Sequence, residues 1–233
     1  MHRLGLVVQA RMGSSRLPGK VLADVGGKSA IARVLDRVSK IRAIGKIIVA
    51  IPNTPDSKPL ADELYNLNYE FYLGSEHDVL DRYYQLATAE KFDTIVRITG
   101  DCPLLDPDIS TRVIQAYTLG KYDFFSNCRP TSTYPDGLDT EVFSYDTLCK
   151  TWTHAKGVER EHVTQYMYRR GKFRAGRLYY PADLSHYRWT LDTEDDLQYI
   201  RKVYELLGDR VFSMKEILRL PIQRFANQTQ FVL

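Results

Sequence analysis

Cysteine is scarce in this 233-residue chain, and the three present (Cys102, Cys128 and Cys149) are odd in number and show no C-x-x-C spacing. That argues against a disulfide framework and a zinc site, and it suits a reducing cytoplasm. No apolar run approaches the roughly 20 residues needed to span a bilayer, and the first residues lack the long apolar core of a signal peptide. The expectation is a cytoplasmic protein with no membrane partner. Net charge is small, +3 at pH 7, so bulk charge does not indicate a nucleic-acid partner. Internal repeats, low-complexity segments and linkers strong enough to force a domain boundary are all missing. With 44% hydrophobic and 26% charged residues, the make-up is that of a globular protein, and the length suits one α/β domain over residues 1–233.

What the chain does have is a concentrated basic loop. Residues 8–20 read Val-Gln-Ala-Arg-Met-Gly-Ser-Ser-Arg-Leu-Pro-Gly-Lys and follow the first apolar run. Small residues (Gly13, Ser14, Ser15, Gly19) let a backbone close around an anion, and Arg11, Arg16 and Lys20 supply the charge to hold it. The spacing is not that of a P-loop: Lys20 is followed by Val21, and no Gly stands five before Gly19. A G-x-G-x-x-G dinucleotide fingerprint is excluded here too.

The first half alternates strands and helices. Continuous apolar runs at Leu4–Gln9, Lys46–Ile51 and Thr94–Thr99 read as buried parallel strands, with a short strand at Tyr69–Leu73. Helical spacing marks Ala30–Ile41, the Leu60-Leu64-Leu67 stretch and Val79–Ala89. Asp106-Pro107 opens another helix as N-cap and first helical residue. In the second half, Tyr122–Ser126, Leu138–Phe143, Arg174–Tyr180 and His186–Leu191 read as strands, Arg129–Asp139 as a loop, and Glu194–Leu207 as a helix with an acidic first turn. The pattern predicts a mostly parallel sheet covered on both faces, with ligands at the carboxyl ends of its strands. A nucleotide-binding half runs to about residue 125 and an acceptor half follows it.

Two aspartates draw attention once the first loop is taken as a phosphate grip. Asp101 stands at the tip of Thr94–Thr99, where it either serves a ligand or closes the turn before Pro103. Asp192 leaves a strand for the last long helix, where capping is the plainer reading. Together with the basic loop, the pair forms the parts list of a magnesium–triphosphate site, since Mg²⁺ is usually held by one or two carboxylates plus phosphate oxygens.

At this point the chain resembles the cytidylyltransferases that activate sugar acids as CMP-sugars, typified by CMP-Kdo synthetase and CMP-acylneuraminate synthetase, and within them the SpsF branch of spore coat polysaccharide biosynthesis. The resemblance is carried in order by Ala10–Lys20, Gly74–Tyr84, Thr99–Leu104, Pro135–Glu141, Glu161–Thr164 and Trp189–Leu197. It implies a three-layer α/β/α fold of the nucleotide-diphospho-sugar transferase type, a homodimer, and CTP as substrate. It also implies that Arg11 and Lys20 lie on the triphosphate with Arg16 as helper, that Gly13 and Ser14 give backbone N–H contacts beside Ala10, and that Asp101 and Asp192 are magnesium ligands. The S-G-T-x-R stretch by which the CMP-Kdo branch reads cytosine is replaced here by Gly74-Ser75-Glu76-His77-Asp78, so CTP is a family expectation.

Around that stretch, Gly74 and Arg82 are expected to contact the nucleotide, Asp78 to cap the following helix, and Tyr83, Tyr84 and Leu86 to be core. Alternation along Leu138–Phe143 puts Asp139 and Glu141 on one face, either to grasp acceptor groups or as a solvated sheet face. Glu161 and His162 are either acceptor contacts or a surface pair on a helix. The implied reaction couples CTP to a sugar acid or related acidic acceptor, releasing pyrophosphate, in surface polysaccharide or glycoconjugate synthesis. The alternatives are a glycosyltransferase using a nucleotide-sugar, a nucleotidyltransferase with another base or a phosphonate acceptor, and a non-catalytic nucleotide-binding protein.

Overall fold

The computed structural model describes residues 3–42 and 45–226. The strands are β1 (Leu4–Gln9), β2 (Lys46–Pro52), β3 (Phe71–Gly74), β4 (Thr94–Thr99), β5 (Phe124–Ser126), β6 (Glu141–Ser144) and β7 (Ala175–Arg177). They form one seven-stranded sheet in the order β3-β2-β1-β4-β6-β5-β7. All neighbours run parallel except at β6, which is antiparallel to β4 and to β5.

The α-helices are α1 (Ala30–Val38), α2 (Lys58–Asn66), α3 (Val79–Glu90), α4 (Pro107–Gly120), α5 (Tyr145–His154), α6 (Val158–Glu161), α7 (Gln165–Arg169), α8 (Glu194–Leu207) and α9 (Met214–Ile217). Alternate residues of β1 feed two different cores, which is why the run is apolar without a break. Leu6 and Val8 pack with Ile31, Val34 and Leu35 of α1 and Val113 of α4. Val7 packs on the other face with Leu80 and Tyr83 of α3, Leu148 of α5 and Met167 of α7. Burying each such Leu or Ile contributes about 1.5–3 kcal/mol before the entropy of ordering it is counted. A third cluster joins Leu197, Ile200 and Val203 of α8 to Trp189, Leu191 and Leu104. Gly5 is required by close packing, because a Cβ there would stand 2.2 Å from Cε2 of Phe92.

From β1 the chain moves outward through β2 to β3, then returns to lay β4 on the other side of β1. The loops after β1 and β4 therefore diverge and leave a crevice at their carboxyl ends. The basic loop and Asp101 both stand there.

The first half follows the sequence reading, with ends trimmed: α1 stops at Val38 and the third strand begins at Phe71. The second half differs more. The expected strand Leu138–Phe143 pairs only from Glu141, because Asn127 ties down the preceding segment: its Nδ2 donates to the Leu138 carbonyl at 2.8 Å and its Oδ1 accepts from the Thr140 N–H at 2.8 Å. Arg174–Tyr180 contracts to Ala175–Arg177, matched to a three-residue β5. His186–Leu191 joins no sheet. Its N–H groups go instead to loop carbonyls, Arg188 to Arg224 at 2.8 Å, Trp189 to Asp136 at 2.7 Å and Leu191 to Asp101 at 2.8 Å. The helix expected around Glu161 and His162 is the short α6, which ends at Glu161; α5, α7 and α9 have no counterpart in the sequence reading, and residues 227–233 of the expected acceptor half lie outside the described residues.

Candidate active site

The basic loop is shaped by its own short-range bonds. The Gly19 N–H donates to the Met12 carbonyl at 3.1 Å, closing the loop on itself, and Gly19 takes φ 70°, a left-handed conformation that a side chain would strain. Leu17 N–H donates to Ser14 Oγ at 3.3 Å. A single 3₁₀ turn, Lys20–Leu22, then directs the Lys20 side chain back toward the crevice.

Lys20 Nζ lies 2.8 Å from Asp101 Oδ2 and 2.7 Å from Asp192 Oδ1. Residues separated by 81 and 172 positions thus converge on one ammonium group. The backbone reinforces the meeting, since the Leu191 N–H donates to the Asp101 carbonyl at 2.8 Å and so joins the two carboxylate loops directly. Asp192 also receives Arg16 Nη2 at 3.0 Å and Arg188 Nη2 at 2.5 Å on Oδ2.

Neither bland reading of the aspartates survives. The cap of α8 is Thr193, whose Oγ1 accepts from the Asp196 N–H at 3.3 Å while Asp196 Oδ2 accepts from the Thr193 N–H at 3.0 Å. Asp192 stands one residue outside that box and is free to face the crevice. Asp101 gives Oδ2 to Lys20 at 2.8 Å, while its Oδ1 accepts only a long bond from Cys102 Sγ, at 3.7 Å, in the turn before Pro103.

The electrostatics agree with the geometry. Burial alone would raise the Asp192 pKa, but the hydrogen bond and charge of Lys20, with Arg188 and Arg16, outweigh it and hold the carboxyl below its ordinary value. Burial would lower the Lys20 pKa, and Asp101 and Asp192 reverse that and raise it. Lys20 and Asp192 are thereby both held toward their charged forms.

The cavity around this cluster encloses about 250 Å³. On its walls stand Ala10, Arg11, Gly13, Ser14, Arg16, Lys20, Asp101 and Asp192, together with Arg82, Glu161 and His162. Gly74 does not line it. It closes β3 against the stem of Arg82, where a Cβ would approach Arg82 Cγ to 2.7 Å, so its part is to let Arg82 pack. Arg82 is 1% exposed, and among the described residues its Nε and Nη1 have no hydrogen-bond partner. Burial lowers its pKa, Tyr83 acts in the other direction, and Arg11 adds like-charge repulsion.

Asp78 caps α3, accepting from the Asp81 N–H at 2.9 Å, and pairs with Arg160. Tyr83 and Leu86 are core, whereas Tyr84 is half-buried in a stack with Trp152 at 4.3 Å between ring centroids.

The acceptor side needs correction. Glu141 is 2% exposed and is neither on a solvated face nor open to a ligand. One of its oxygens pairs with Arg97 and the other accepts from Thr164 Oγ1 at 2.7 Å. Asp139, two residues before the start of β6 at Glu141, does not line the cavity; burial first, then Asp136, pushes its carboxyl up to about 7.

Sequence reasoning passed over two arginines. Arg97 sits at the cavity floor, with Nη2 3.1 Å from Gln9 Oε1 and Nη1 on Glu141. Its signal was available: an arginine inside the buried run Thr94–Thr99 must find a partner. Arg188 grips Asp192, Asp136 and Asp196 together, and its i,i+4 spacing from Asp192 was the hint.

A family model described as cytidylyltransferase matches residues 6–228. The chain belongs to the cytidylyltransferase family. Among relatives of this cytidylyltransferase, the spore coat polysaccharide biosynthesis protein SpsF of Bacillus subtilis is 30% identical over 220 residues, covering 90% of each chain. A solved cytidylyltransferase from Leptospira borgpetersenii superposes with a TM-score of 0.88 at 28% identity, covering 94% of this chain and 93% of that one. A CMP:2-keto-3-deoxy-manno-octonic acid synthetase solved in complex with CTP shares the fold, with a TM-score of 0.65 at 17% identity over 88% of this chain and 99% of that one.

The donor set of this cytidylyltransferase suits a hard divalent cation. Two carboxylate oxygens from separate loops already face a single positive centre at 2.7–2.8 Å. Among the described residues no group of three or more His, Cys, Asp or Glu side chains is placed to hold a metal. Two carboxylates are what a magnesium site completed by phosphate oxygens and water requires of its protein.

Proposed function

We propose that this cytidylyltransferase transfers CMP from CTP to an oxygen of a sugar acid or related acidic acceptor, releasing pyrophosphate, with Mg²⁺ held by Asp101 and Asp192. The observation that carries the reading is the convergence of Lys20, Asp101 and Asp192 at the mouth of a basic Gly/Ser loop. Magnesium in that place supplies Lewis-acid charge stabilisation of the reacting phosphates.

The residues divide the work as follows. Arg11, Arg16 and Lys20 bind the triphosphate and stabilise the charge that grows on the departing pyrophosphate. Backbone N–H groups around Gly13 and Ser14 fix its path. The acceptor oxygen forms a bond to the α-phosphorus as the bond to the bridging oxygen breaks, and that oxygen leaves with pyrophosphate. A phosphonate oxygen is already ionised at neutral pH, and an anomeric hydroxyl, more acidic than an ordinary alcohol, gives its proton to water as its bond to phosphorus forms; no general base is assigned. Positioning and electrostatics supply the rate gain, as in other phosphoryl transfers. Glu161 and His162, which line the cavity, are assigned to the acceptor, and Arg82, whose Nε and Nη1 have no hydrogen-bond partner among the described residues, is assigned to the nucleotide as a further anion contact. The kinship with SpsF supports a role in surface polysaccharide or glycoconjugate synthesis.

The test is to incubate the protein with Mg²⁺, each of the four ribonucleoside triphosphates, and a panel of sugar acids and phosphonates. Pyrophosphate and a CMP-linked product, identified by mass, are expected with CTP alone. Pyrophosphate release with another triphosphate and not with CTP would overturn the base assignment, and sugar transfer from a nucleotide-sugar would overturn the reaction class.

A further inference from the structure

We infer that Lys20 acts as an internal cation that holds the two aspartates in the nucleotide-free protein and excludes the divalent ion until a triphosphate draws the ammonium away. The inference rests on the reading of Asp101 and Asp192 as the metal-holding pair. Lys20 Nζ touches Oδ2 of Asp101 at 2.8 Å and Oδ1 of Asp192 at 2.7 Å, the same two oxygens that face the crevice together. A metal cannot take both oxygens while Nζ stands between them.

The charge around the pair points the same way. Asp192 carries Arg16 at 3.0 Å and Arg188 at 2.5 Å on its second oxygen. Two carboxylates therefore already serve three cationic side chains, and there is no surplus negative charge to attract a free dication. Arg188 is anchored by Asp136 and Asp196 as well, so it stays in place. Lys20 and Arg16 are different. They belong to the basic loop, and the Arg16 side chain is 60% exposed. Triphosphate oxygens entering the loop offer both groups a more negative partner than the aspartates do. Their transfer removes two positive charges from the carboxylates, and phosphate oxygens would supply the ligands that the two aspartates do not. Metal and nucleotide then bind as one event.

Clasping also answers a folding problem. Two carboxylates held together without a cation repel each other. The ammonium between them offsets that repulsion through its contacts at 2.8 Å and 2.7 Å.

The experiment reads manganese binding with no acceptor present, by electron paramagnetic resonance of free Mn²⁺ and by the shift in melting temperature that Mn²⁺ produces. Wild type, Lys20→Met, and Lys20→Met combined with Asp192→Asn are compared with and without CTP. Removing one positive charge at contact distance should tighten Mn²⁺ binding to nucleotide-free Lys20→Met about tenfold or more over wild type. Mn²⁺ should raise the melting temperature of Lys20→Met and leave nucleotide-free wild type unmoved, a readout that works even if the variant is less stable. The Asp192→Asn double variant should lose the gain. If nucleotide-free wild type binds Mn²⁺ as tightly as Lys20→Met does, the internal-cation role is wrong while the two-aspartate site stands. If Mn²⁺ binds no form, with or without CTP, the metal assignment itself falls.

Discussion

Asp192→Asn isolates the charge of one carboxylate while keeping its shape and part of its hydrogen bonding. In the folded protein Asp192 accepts from Lys20, Arg16 and Arg188. The amide oxygen can still accept one of these, and the donors it abandons have other partners: Lys20 keeps Asp101, and Arg188 keeps Asp136 and Asp196. The stability cost should therefore be that of one charge-assisted hydrogen bond, about 2 kcal/mol. For a chain of this size that is a fall of roughly 4–8 °C in melting temperature.

The effect on turnover should be far larger. Losing a group that holds charge at the reacting phosphates costs about 10²–10³-fold, or roughly 3–4 kcal/mol of transition-state stabilisation. Pyrophosphate release at saturating CTP measures the rate, and a thermal melt of the same sample measures the fold. Turnover close to wild type with the small melting shift would refute the site. A variant unfolded at 25 °C would mean that Asp192 serves chiefly as a structural fastener.

The ionisation of Asp192 has a pH signature too. Its folded pKa lies below the unfolded one, so its contribution is fully present above the ordinary carboxylate range and is lost as pH falls through the folded value; wild type should lose the stability gap over Asp192→Asn in acid. Asp139 behaves in the opposite sense. With its carboxyl pushed up to about 7, the folded state favours the protonated form, and stability falls as pH rises from about 4 to 7. Asp139→Asn should consequently melt higher than wild type at pH 8 and show a smaller difference at pH 5, and a difference independent of pH would contradict the burial of that group. Arg82→Met removes a buried guanidinium whose Nε and Nη1 lack partners among the described residues, so it should keep or raise the melting temperature while weakening CTP binding in calorimetry; a stability loss with unchanged affinity would make Arg82 structural. Arg97→Met leaves Glu141 buried without its cation and should cost about 3–5 kcal/mol in denaturant unfolding. Adding Glu141→Gln should recover much of that loss, and strict additivity of the two changes would show that the pair is not coupled.

The parts of the fold that could be read from sequence are those where one physical rule acts alone. β1, β2 and β4 are continuous apolar runs because helices cover both faces, and their limits were read to within a residue. The cap at Asp106 holds as expected, its Oδ1 accepting from the Asp108 N–H at 2.9 Å. The strands at 138–143, 174–180 and 186–191 were over-read because tertiary partners claimed their backbone groups: Asn127 for one, loop carbonyls for another. No local pattern announces such partners.

The site divides in the same way. The basic loop was legible because its composition is unusual over a short span. The meeting of Asp101 and Asp192 was legible only through order along the chain and family likeness, since their separate spacings also fit turns and caps. Glu141 was misjudged because alternation shows which face a residue takes and not what lies across from it, which here is Arg97.

The most direct measurement is a crystal structure with CTP and Mn²⁺ bound, read by anomalous scattering. The account predicts a manganese peak within roughly 2.0–2.3 Å of carboxylate oxygens of both Asp101 and Asp192, with Lys20 Nζ moved onto the triphosphate. A manganese ion elsewhere, or a nucleotide seated away from the Ala10–Lys20 loop with Lys20 still on the aspartates, would contradict it.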